Sequence, residues 1–188
     1  MPFDSNRDTM IIRHILESET NYSLVAELFR VFPAARNELI HEFMKDVRTD
    51  LSERLGPNFI VTCGVEQSGP TLQVRGVDWR SGIKIALVPD GKHATWYYVG
   101  LHVDSEHPSL NEIRAALYER TGILEEPKNS WYWWQYLEKE LWESEKSPAL
   151  AMIATSEYKS QVTGLIEHVV RIVDPFLKTS KRSEYASS

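Results

Sequence analysis

Apolar residues in the first third of the chain fall three and four apart. Met10, Ile11, Ile15 and Leu16 predict a short helical segment, and Leu24, Val25, Leu28, Phe29 and Phe32 carry the stripe on to Pro33. Proline suits the first turn of a helix and disrupts its interior, so Pro33 is expected to end one segment and open the next. From Ala34 to Leu55 the positions Ile40, Met44, Val47, Leu51 and Leu55 keep the helical period. That helix would be about 33 Å long, with Gly56 and Pro57 as its stop.

The period then changes to two. Phe59, Val61, Cys63 and Val65 alternate with smaller or polar neighbours, and the same alternation returns at Leu72 and Val74, at Ile83, Ile85 and Leu87, and at Tyr97, Val99, Leu101 and Val103. The four predicted strands are separated by Gly69-Pro70, Ser81-Gly82 and Pro89-Asp90-Gly91, residues that preset or tolerate turn dihedrals. Connections this short favour an antiparallel meander. Because Trp96, Tyr98 and His102 are bulky as well, the fourth strand is expected to be central and covered on both sides, with an exposed groove as the alternative.

Helical signals return after the strands. Ser109 and Glu112 have capping-box spacing before Ile113, Ala116 and Leu117, and Gly122 stands where a helix end favours glycine. Ser130 is expected to cap a further helix carrying Trp134, Leu137 and Leu141 on one face. Ala149 to Ala154 is taken as a fifth strand, and Ser156 opens a long helix striped by Val162, Leu165, Ile166, Val169, Ile172, Val173 and Phe176. The order helices, strands, helices predicts an α+β fold, an antiparallel sheet of four or five strands with helices packed on it. The expected organisation is a helical lead-in over residues 1–56, a sheet domain over 57–178 and a disordered tail over 179–188, together one compact unit.

Composition narrows the class. At 188 residues a single core can form without disulfides or metal, and Cys63 has no partner in the sequence. The single cysteine fits a reducing compartment, no signal-like segment is present and no apolar run approaches the roughly 20 residues of a membrane span, so a cytoplasmic protein with no membrane partner is expected. A formal charge of −6 opposes any general attraction to nucleic acid.

Candidate chemistry concentrates in two places. His102 and Asp104 share a strand face and, with Glu106, could serve as an acid and base pair or as metal ligands; the bland alternative is a solvated strand face. Pro89-Asp90, Glu126-Pro127-Lys128 and Glu157-Tyr158-Lys159 contain pieces of a nuclease metal motif, but a proline in a ladder, a turn and a helical start do not project an acid and a lysine together. The second place is aromatic. Trp131, Tyr132, Trp133, Trp134, Tyr136 and Trp142 fall within twelve residues. Such a cluster either wedges the segment into the core or forms a recognition surface.

The stretch from Lys128 to Leu137, followed by Leu141-Trp142 and Ala149 to Ile153, resembles the C-terminal region of PD-(D/E)XK nuclease superfamily proteins of bacteria and phages. In these a strand of the type Tyr98-Val99-Gly100-Leu101 precedes a helix, a Trp-rich segment and a closing amphipathic helix. The likeness spans Trp96 to Leu177 and carries no catalytic residue. It implies a stand-alone relative of an accessory region, from a defence or counter-defence setting, that acts by binding. The expectation is therefore a non-enzymatic interaction protein with a protein partner or a second copy of itself and with no cofactor. The alternative is a divergent metal-dependent nuclease or nucleic-acid-binding relative using His102, Asp104 and Glu106.

Overall fold

The computed structural model of the protein describes residues 5–66, 69–90, 96–104, 107–123, 127, 130–137 and 156–184. The elements are α1 (Ser5–Leu16), α2 (Glu19–Leu55), β1 (Phe59–Glu66), β2 (Gly69–Gly76), β3 (Ile83–Asp90), β4 (Trp96–Val103), α3 (Leu110–Thr121), β5 (Trp131–Tyr136) and α4 (Ser156–Glu184). The chain divides into two compact units, Met1–Glu38 and Leu39–Ser188, so the division falls inside α2.

The first unit holds α1 and the leading part of α2. Ser18 caps α2, its Oγ accepting the Asn21 N–H at 3.1 Å, and the Asn21 side-chain amide donates back to the His14 carbonyl at 2.9 Å. These bonds fix the short turn between the helices. Pro33 does not divide α2, contrary to the sequence reading. Proline lacks one N–H and costs about 3 kcal/mol in a helix interior, yet the hydrogen bonds on either side of it hold a single helix of 37 residues.

The second unit is the α+β body expected from the pattern. Its sheet has the order β1-β2-β3-β4-β5 with every described pair antiparallel. Alternation sends Val61, Cys63, Leu72, Val74, Ile85, Leu87, Tyr97, Val99 and Leu101 to one face, where they join one core with Ile40, Met44, Val47 and Leu51 of α2 and Val162, Ile166, Val169 and Val173 of α4. Side chains of this kind contribute about 1.5–3 kcal/mol each when fully buried. The stripe of β1 stops at Cys63, since Val65 is exposed. Phe43 of α2 stacks on Tyr158 of α4 with ring centroids 5.7 Å apart, and Trp79 Nε1 donates to Asp174 at 3.0 Å, tying the β2–β3 connection to α4.

Several local expectations change. Residues 131–136 form strand β5 where a helix was predicted, and β5 is the fifth strand of the sheet. Tryptophan and tyrosine favour strands, and β4 offers a paired edge that a helix here would leave empty. The segment 149–154, taken as that fifth strand, lies outside the described residues. β3 runs through Pro89 to Asp90, which pairs with Trp96, so Asp90 belongs to the ladder and not to the turn. At the start of α3 the Ser109 hydroxyl makes no capping bond; the Ser109 N–H donates to His107 Nδ1 at 3.2 Å instead. Gly122 ends α3 in the left-handed conformation, φ 71°, with its N–H bonded to the Tyr118 carbonyl, as its position in the sequence indicates. Among the described residues no helix is long and apolar enough to cross a membrane.

Candidate functional site

The sheet face turned away from the core carries the aromatic residues. β4 contributes Tyr98, Gly100 and His102 to it, and β3 contributes Lys84, Ala86 and Val88, paired across as Lys84 with His102, Ala86 with Gly100 and Val88 with Tyr98. β5 would continue simple alternation, but its register shifts between Leu101 and His102. Leu101 pairs with Trp133 while His102 pairs with Trp131, which leaves Tyr132 as the extra residue of a bulge. A bulge re-aims side chains. Trp133 enters the core at 1% exposure, and Trp131 turns to the opposite face beside His102.

Glycine at position 100 makes this possible. A Cβ there would lie 2.7 Å from Trp131 Cε3 and 3.0 Å from the Trp133 carbonyl oxygen, so the indole occupies the space a side chain would need. Around Trp131 stand Tyr98, edge to face at 5.1 Å, and His102 at 4.8 Å, and Tyr136 meets Tyr98 at 5.8 Å. Separations and tilts of this kind are the favoured geometry of aromatic pairs. Trp131 and Tyr98 are half-buried and Tyr136 is 42% exposed, so the group is a surface feature.

A groove of about 250 Å³ runs along this face. Gln73, Lys84, Ala86, Val88 and Pro89 line it together with Tyr98, His102 and Trp131. β4 is thus an inner strand with its second face on a groove, which is the alternative that the sequence left open. Lys84 is half-buried and makes no ion pair among the described residues. His102 Nδ1 lies 3.4 Å from Asp104 Oδ1, the carboxylate being mostly exposed.

Of the residues singled out from sequence, Trp131, Tyr136 and His102 come together on the groove face. Trp134 pairs with Gly100 on the same face and is half-buried, whereas Tyr132 packs against the core and Trp133 belongs to it. Trp142 and Glu106 lie outside the described residues. His102 and Asp104 do meet, but among the described residues no three His, Cys, Asp or Glu side chains are gathered as metal ligands. His107, a neighbour in sequence, is buried at the start of α3, and burial first and Arg80 second push its pKa below the ordinary value. Lys159 is engaged with Asp50 of α2 at 3.6 Å, away from any nuclease-like arrangement with Glu157. Lys84 and Gln73 were not foreseen as site residues. The available signal was their place on β2 and β3, on the same sheet face as Tyr98 and His102 of β4.

Comparison with protein families, curated proteins and solved structures finds no match to this chain.

Proposed function

We propose that this chain works by recognition, holding a partner polypeptide in the groove beside Trp131. The observation that supports the reading is the bulge that takes Trp131 out of core packing and sets it over Gly100 next to Tyr98 and His102. Exposed aromatic rings on a rigid sheet supply contact area at small entropic cost, and such rings dominate binding energy at protein interfaces. Lys84 gives the groove a cationic end. A mostly polar lining with aromatic rings and an ammonium group suits a segment that presents hydrogen-bonding groups and a carboxylate beside an aromatic or apolar side chain. A polyphosphate strand fits less well, because the whole chain carries a formal charge of −6.

Immobilised protein, incubated with lysate of the cells that produce it and read by quantitative mass spectrometry, tests this. The wild-type chain is expected to enrich a partner that Trp131→Ala and Lys84→Glu each retain at least tenfold less. Equal capture by all three, with circular dichroism showing both variants folded, rejects the groove as the binding site.

A further inference from the structure

Among its described residues the N-terminal unit has no core of its own. None of its described side chains is buried, although it is rich in large apolar residues. Met10 and Leu16 of α1 and Leu24, Leu28, Phe29 and Phe32 of α2 belong to a set of ten such residues before Glu38, each between 37% and 78% exposed. Scattered apolar residues on a surface are ordinary, but ten large ones within the 23 positions from Met10 to Phe32 mark an interface.

The spacing on α2 has the form of a helix-packing seam. Tyr22, Val25, Phe29 and Phe32 follow one another by three, four and three residues, with Leu24, Leu28 and Val31 in the adjacent column. We infer that this surface is a self-association interface, in which α1 and the part of α2 before Leu39 pack against the same helices of a second copy. Together the ten side chains expose on the order of 1,000 Å² per chain, and the share that lies on one face is comparable with the roughly 800 Å² that each partner gives to a standard stable interface. Charge permits the pairing. Residues 5–38 hold five acidic side chains and four basic ones, so two copies of the unit face each other close to neutrality. Two copies also supply four helical segments, enough to surround a shared apolar interior. The interface belongs to the first unit and the groove to the second, and this inference does not rest on the proposed role of the groove.

Size-exclusion chromatography with light scattering on the full chain at tens of micromolar tests the inference. The expected mass is about 43 kDa, twice the 21.7 kDa of one chain, with a melting temperature that rises with protein concentration. Leu28→Glu combined with Phe29→Glu places two charges on the seam and is expected to give a monomer whose near-ultraviolet dichroism from the sheet unit is unchanged. A monomeric wild-type chain overturns the inference, as does a dimer that survives both substitutions. Should the double variant fail to fold, oxidation of Phe29→Cys in a Cys63→Ser background decides: a cross-linked dimer supports the interface and its absence refutes it. Co-sedimentation with phosphatidylcholine and phosphatidylglycerol vesicles by a chain that stays monomeric in solution would assign the surface to lipid and overturn the dimer.

Discussion

Trp131 fills the space that any side chain at position 100 would occupy. With Trp131 Cε3 only 2.7 Å from the site of a Cβ, Gly100→Ala must push the indole off the sheet or shift β5, whose Trp133 carbonyl is 3.0 Å away. Overpacking of this type costs about 1–3 kcal/mol. Chemical denaturation is expected to show that loss, accompanied by a red shift of tryptophan emission as Trp131 gains water. A variant with wild-type stability and emission would show that the ring does not depend on the glycine.

Neighbouring tryptophans should behave in opposite ways. Trp133→Ala empties a core position and is expected to cost about 3–5 kcal/mol, whereas Trp131→Ala removes a half-buried ring and should cost markedly less. Urea unfolding of the two variants checks the ranking. Partner binding is expected to fall with Trp131→Ala while the fold persists.

His107 predicts a loss of stability in mild acid. Its imidazole is buried, Nδ1 accepts the Ser109 N–H, and burial followed by the Arg80 charge holds its pKa below 6.5 in the folded chain. The unfolded chain therefore takes up the proton first as pH falls. Stability from this residue is complete above pH about 6.5 and declines between that value and the lower folded pKa. Urea midpoints measured from pH 7.5 to 5 should fall over this interval, and His107→Asn, which keeps an acceptor for Ser109, should flatten the decline.

Cys63 is expected to be slow towards thiol reagents. Its Sγ donates to the Met44 carbonyl at 3.3 Å, and partial burial raises its pKa, with Arg48 and Lys45 only partly opposing that effect. The thiolate is the reactive form. Modification by a disulfide reagent at pH 8 should proceed at least tenfold faster in denaturant than in buffer.

Much of the fold is written in local periodicity. The alternation at Phe59 to Cys63, Leu72 to Val74, Ile83 to Leu87 and Tyr97 to Val103 places the four-strand meander, and the stripe from Val162 to Phe176 places α4, because one face of each must be apolar. The run Trp131 to Tyr136 hides its period. Large aromatics stand on both sides of β5, so no polar alternation marks the strand, and the bulge at Tyr132 breaks the phase that would remain. Sequence located the aromatic cluster but not its division, since sending Trp133 inward and Trp131 outward is decided by pairing with Leu101 and His102, more than 25 positions earlier. Pro33 was misleading for another reason: a helix long enough on both flanks continues through one missing bond.

The tie between Trp79 and Asp174 spans 95 positions and brings the last described helix onto a sheet made almost wholly of adjacent hairpins. During synthesis the meander emerges first, with Leu72, Ile85, Leu87 and Tyr97 still lacking the cover that Val162 to Val173 supply. A ribosome stalled before α4 would hold a half-built sheet with those apolar side chains uncovered on that side, a form prone to aggregation.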